Sequence, residues 1–118
     1  MPEEPIKTYL EKRPWGNFQE FTKNRSTSVK ILTVESGEAF SLQTHKMRDE
    51  FWRVLSGEGK VVVGEEGFDA RPGEEYFIPR GTKHRLKAGQ EKLVVLEISL
   101  GNFDENDIER LEDKYGRV

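Results

Sequence analysis

The chain has 118 residues, 34% hydrophobic and 35% charged, with a formal net charge of −3. That suits one domain whose modest core depends on well-patterned apolar positions, and no basic block marks a nucleic-acid binder. With no cysteine, disulfides, thiolate metal sites and cysteine nucleophiles are excluded. No apolar run approaches the roughly 20 residues of a membrane helix. MPEEPIKTYL lacks the basic and apolar regions of a signal peptide, so a cytoplasmic protein is the default expectation. Asn24-Arg25-Ser26 matches a glycosylation sequon, which without a secretory signal is a chance match.

Residues 1–12 are polar, carry Pro2 and Pro5, and read as an N-terminal arm. From 13 to 103 the chain reads as short strands. Asn17 to Thr22 and Thr27 to Glu35 are rich in β-branched and aromatic residues. Phe40 to Gln43, Phe51 to Leu55, Gly59 to Val63, Glu75 to Ile78, Lys83 to Ala88 and Lys92 to Leu100 follow. Turns carry glycine, in SGE (Ser36 to Glu38, Ser56 to Glu58), GEEG and RPGEE. Many short strands at close, even spacing predict an all-β sandwich or barrel. Residues 104–118 differ. Asp104 can cap a helix, Ile108, Leu111 and Tyr115 recur at spacings of three and four, and Gly116 is a plausible stop. This predicts a short C-terminal α-helix packed on the barrel.

The chemistry concentrates in two places. Residues two apart on a strand share a face, so Gln43 and His45 point the same way. A turn after His45 returns Glu50 to that face, and PRGTKHRL places His84 just after a tight turn. Two imidazoles, a carboxylate and an amide oxygen suit a divalent first-row metal, with positions left for water or substrate. Taken singly, each histidine is more simply a structural residue; the joint arrangement favours a metal. On the last long strand, Leu93, Val95 and Glu97 share a face. A carboxylate on an apolar face can have a raised pKa suited to proton transfer, although a structural, hydrogen-bonded carboxylate is the simpler alternative.

The spacing of these residues resembles the two cupin motifs. Gly37, Gln43-Thr44-His45, Glu50 and Gly57 fit the first, with Gln43 in place of its first histidine. Gly73, Pro79, Gly81 and His84 fit the second, with Ala88 in place of its asparagine. A closer resemblance runs from Arg13 to Arg117, to the isomerase domain of type II mannose-6-phosphate isomerases. It is carried by RPWG (13–16), SLQTH (41–45), Arg48, Glu50 with Trp52, SGEG (56–59), YFIPRGTKHRL (76–86) and EDKYGR (112–117). The resemblance implies a single-domain cupin, a jelly-roll barrel. It implies one divalent metal on Gln43, His45, Glu50 and His84, with zinc first and manganese, iron, cobalt or nickel as alternatives. It also implies interconversion of mannose 6-phosphate and fructose 6-phosphate through an enediolate, and a homodimer. Guanylyl transfer, the partner activity of such proteins, is not expected from these residues.

On this reading Glu97 and Arg48 are the catalytic candidates, and Arg85, Arg117 and Met47 the substrate-binding ones. Met47 stands where the resembled family has a histidine, and Phe51 where it has another before the tryptophan. These departures leave a non-catalytic sugar-binding or regulatory cupin as the alternative function. A metal-dependent dioxygenase is a third, disfavoured by Gln43 and by the RPWG and EDKYGR ends.

Overall fold

The computed structural model describes residues 5–117. Among them are eleven strands and no helix, and none therefore long and apolar enough to cross a membrane. β1 (Tyr9–Arg13) and β2 (Gly16–Glu20) form a two-stranded ribbon. The rest of the chain supplies β3 (Thr27–Val34), β4 (Leu42–Thr44), β5 (Arg48–Ser56), β6 (Gly59–Val63), β7 (Glu66–Ala70), β8 (Glu75–Ile78), β9 (His84–Ala88), β10 (Leu93–Gly101) and β11 (Glu109–Glu112).

The antiparallel pairings nest. β3 pairs with β10, β4 with β9, β5 with β8, and β6 with β7. Such nesting describes one long hairpin folded over and rolled up, which is a jelly roll. Cross-pairs of β10 with β5 and of β6 with β9 complete two sheets, ordered β3-β10-β5-β8 and β11-β4-β9-β6-β7. No ladder joins their edges among the described residues, so the expected barrel is an open sandwich.

Two apolar clusters lie on opposite faces of the four-stranded sheet. Trp52, Val54, Leu93 and Val95 face inward and meet Val61 and Leu86 of the other sheet. Each such fully buried aliphatic side chain contributes about 1.5–3 kcal/mol. Phe51, Ile98 and Leu100 point outward and are covered by Ile6, Phe21 and Phe77. The segment before β3 thus closes the outer face. Tyr9 to Lys12, read as the end of an arm, belong with Arg13 to β1, while residues 1–4 lie outside the described residues.

The C-terminal helix is not formed. β11 instead pairs antiparallel with β4, with Glu109 opposite Thr44, Arg110 opposite Gln43 and a register shift before Glu112. Alternation replaces the helical stripe: Ile108 and Arg110 turn into the cavity between the sheets, while Leu111 and Tyr115 are exposed. The physical reason is competition. A helix this short is marginal on its own, whereas β4 would otherwise present an unpaired edge. β7 went unread because EGFDA is rich in residues depleted from strands; pairing with β6 overrides that.

The turn between β5 and β6 depends on Gly57. Its φ is +92°, and a Cβ there would lie 1.8 Å from the Lys92 carbonyl oxygen. Gly57→Ala is expected to destabilise the fold by at least about 2 kcal/mol, from left-handed strain and backbone overlap together. A urea titration showing an unchanged midpoint would contradict this.

Candidate metal centre

Directly opposed residues on antiparallel strands share a face. Across the four-stranded sheet one inward row reads Lys30, Glu97, Trp52, Tyr76. Across the five-stranded sheet the facing row reads Arg110, Gln43, His84, Val63. The rows meet at Trp52 and His84, whose rings lie edge to face at 5.5 Å. Between the sheets is a cavity of about 450 Å³, lined by Gln43, His45, Glu50, Glu97, Lys30 and Arg110 among others.

Glu50 lies at its inner end, 1% exposed. Its Oε1 is 3.1 Å from His84 Nε2 and 3.7 Å from His45 Nε2. The two imidazole centroids are 4.9 Å apart. Glu50 Oε2 accepts from Arg48 Nε at 3.2 Å and from Ser99 Oγ at 3.3 Å. Each imidazole is also held from behind. Thr82 O lies 2.9 Å from His84 Nδ1, and Asp107 O lies 2.6 Å from His45 Nδ1. A carbonyl can only accept, so both Nδ1 atoms carry a proton, and in the neutral ring each Nε2 presents a lone pair. This is the arrangement that orients metal-binding histidines.

The site fits a metal ion on its own geometry. Close as they are, Glu50 Oε1 and His84 Nε2 are both buried and complete no hydrogen bond. Leaving such groups unpaired costs about 1–3 kcal/mol each. Candidate ligand atoms of His45, Glu50 and His84 lie within 4.8 Å of one another. Ligands about 2 Å from a common ion have separations of this order. Gln43, beside His84 in the sheet, lines the same cavity and accepts a long contact from Ser41 Oγ at 3.4 Å.

For Glu50 and His45 the local electrostatics agree with that use. Burial works to raise the Glu50 pKa, but His84, His45 and Arg48 outweigh it and hold the carboxyl down at about 2. Burial lowers the His45 pKa, favouring the neutral ring. A ligand set needs an ionised carboxylate and neutral imidazoles. Glu97 moves the other way: burial, then the Glu50 charge, push it up to about 7, against a 3.0 Å hydrogen bond donated by Trp52 Nε1.

The other candidates divide. Arg48 is buried at the centre, donating to Glu50, to the Asp104 carbonyl and to His45 Nε2 at 3.1 Å. Arg85 turns to the opposite face of β9 from His84, donating to Phe40 O and pairing with Glu112. Arg117 is tied to Asp113 in the tail. Neither lines the cavity. Met47 is 51% exposed and also lies outside the lining. In their place the structure brings in Lys30, Phe103, Ile108 and Arg110. The signal for Arg110 was there in the alternation with Ile108, but it was read with helical spacing. Asp107, read as a residue of a helical first turn, instead clamps the turn after His45. Its carboxylate accepts the Lys46 and Met47 N–H groups, each at 2.8 Å.

Residues 4–113 match the family model described as mannose-6-phosphate isomerase C-terminal. The chain belongs to that family. It is 40% identical over 108 residues to the xanthan biosynthesis protein XanB of Xanthomonas campestris pv. campestris, a match covering 90% of this chain and 23% of that protein. It is 40% identical over 107 residues to a mannose-1-phosphate guanylyltransferase of Escherichia coli, covering 89% and 23%. The chain therefore spans less than a quarter of the length of these curated relatives. Among solved structures, a putative sugar phosphate isomerase from Acidithiobacillus ferrooxidans superposes with a TM-score of 0.59 at 25% identity, covering 68% of this chain and 53% of that one. A cupin protein from Bacteroides fragilis gives 0.58 at 20%, covering 69% and 74%, and shares the fold. The family's two departures in this chain fall outside the cavity: Met47 on the exposed turn, and Phe51 in the outer apolar cluster with Ile98 and Leu100.

Asp107→Ala removes two acceptors from the turn that carries His45. It is expected to cost about 1–3 kcal/mol and to loosen the His45 ring. Denaturant titration and the exchange rate of the His45 Nδ1 proton read both effects; an unaltered protein on both counts would contradict the clamp.

Proposed function

We propose that this domain is a metal-dependent sugar-phosphate isomerase, interconverting mannose 6-phosphate and fructose 6-phosphate. One observation carries the reading: His45, Glu50 and His84 converge beside a polar cavity, with Glu50 Oε1 and His84 Nε2 buried and unsatisfied, in a chain of this family. Residues His45, Glu50 and His84, with Gln43 beside them, would hold the ion. A divalent ion there supplies an electrophile for the oxygens on C1 and C2, easing enediolate formation.

The chain's own groups do the rest. Glu97 stands on the same wall, between Lys30 and Trp52, as the carboxylate positioned to carry a proton between C1 and C2. Trp52 Nε1 orients it. Arg48 is a positioning residue: it fixes Glu50 Oε2 and leaves Oε1 facing the two imidazoles. The lone pair of His45 Nε2 serves one partner at a time, and Arg48 Nη2 takes it in this structure.

Zinc-, manganese- or cobalt-loaded protein is expected to form fructose 6-phosphate from mannose 6-phosphate. Glu97→Gln should lower kcat by about 100-fold or more while retaining metal. Glu50→Gln and His84→Ala should lose the metal itself, checked by elemental analysis. Tight sugar-phosphate binding without turnover, across these metals, would replace the isomerase by a non-catalytic binding role. Metal at about 100 times its dissociation constant should raise stability by about 2.7 kcal/mol, a gain that chelation reverses.

A further inference from the structure

The two inward rows end at the open edge of the sandwich in a cation each. Lys30 lies on β3, the edge strand of one sheet, and Arg110 on β11, the edge strand of the other. Both line the cavity that holds Glu50 and His45. Arg110 is half-buried, and its Nε is buried with no hydrogen-bond partner. Among the described residues it forms no side-chain hydrogen bond or salt bridge, while Arg85 and Arg117 are both committed to tail carboxylates. A guanidinium with a buried, unused N–H is an incomplete structure: it carries the cost of a lost hydrogen bond until an acceptor arrives. Lys30 likewise has no salt bridge; its Nζ lies 4.0 Å from the Phe103 ring centroid. Arg48 packs on the same ring at 4.5 Å. Phe103 therefore covers the cavity between the committed inner cation and the uncommitted outer one.

The inner carboxylates already have partners. Glu50 faces two imidazoles and Arg48, and Glu97 accepts from Trp52. The two outer cations are thus available to an anion from outside the chain.

We propose that Arg110 and Lys30 form the phosphoryl-binding end of this cavity, setting which end of a sugar phosphate enters first. This rests on the isomerase reading for the identity of the sugar, but not for the anion. Arginine's planar fork of donors suits a phosphate dianion, and the ammonium adds a point charge from the facing sheet. The phosphoryl group sits between the sheet edges. The sugar then extends inward past Gln43 and Glu97, which places its far, carbonyl-bearing end toward Glu50 and His84. Arg85 and Arg117 have no part in it.

The test is calorimetry on the full chain, both chelated and metal-loaded, with inorganic phosphate, fructose 6-phosphate and unphosphorylated fructose as probes. Wild-type protein is expected to bind both phosphate-bearing probes in either state. Arg110→Gln and Lys30→Gln should each weaken fructose 6-phosphate binding by at least about tenfold, with fructose binding and metal content unchanged. Arg110→Lys should recover part of the loss, and Arg85→Gln should leave binding at the wild-type level. Phosphate binding that survives Arg110→Gln, that Arg85→Gln abolishes, or that is absent from wild-type protein would overturn the proposal. Turnover in Arg110→Gln with an unchanged KM would leave the isomerase standing and remove the anion end. Arg110-dependent phosphate binding without turnover would do the reverse.

Discussion

A carboxylate with 1% of its surface exposed is the constraint around which this molecule is arranged. An ionised group so deep is tolerated only if paired and hydrogen-bonded. Glu50 is surrounded from four parts of the chain, of which Arg48 and Ser99 donate hydrogen bonds to it. Arg48 comes from its own strand, Ser99 from β10, His84 from β9, and His45 from the turn after β4. The jelly roll makes this possible, because nested pairing sets β5 beside β10 in one sheet and β4 beside β9 in the other. Compensation remains incomplete at Oε1 and at His84 Nε2. That incompleteness separates a candidate metal centre from an ordinary buried ion-pair network.

The C-terminal segment belongs to the same arrangement. Asp107 holds His45 through its carbonyl and the following turn through its carboxylate. Asp104 supplies a carbonyl to Arg48, Phe103 covers the opening, and β11 brings Arg110 beside Gln43. This stretch thus orients one candidate ligand, braces the central arginine and forms one wall. Edge pairing with β4 fixes it in place, so sheet completion and site completion are one event.

Much of this was legible beforehand, and the failures have a common cause. The convergence of His45, Glu50 and His84 was readable because motif spacing and a tight Pro-x-Gly turn are local signals. Glu97 was readable because β10 alternates cleanly. The family resemblance added a specific order of motifs. Tertiary competition was not readable. Residues 104–118 contain a helical spacing and a strand alternation at once, and the free edge of β4 chooses between them. Because that choice decides where Arg110 points, reading a helix there also hid Arg110 from the cavity. Met47 drew attention as a missing imidazole, yet the turn that follows β4 leaves its side chain exposed while His45 is buried.

The outer apolar cluster has a consequence for how accurately this chain must fold. β10 is buried on both faces, so its alternate residues belong to different interiors: Glu97 to the cavity, Ile98 to the cluster beneath Phe21 and Phe77. Most antiparallel strands that slip by one residue expose apolar side chains to water and are rejected for that reason. Here a slip would bury as much apolar surface as before. What forbids it is the exchange of Glu97 with Ile98, which would drive a carboxylate into a ring of phenylalanines. The polar residue that looks like a defect in an apolar strand also acts as its register mark.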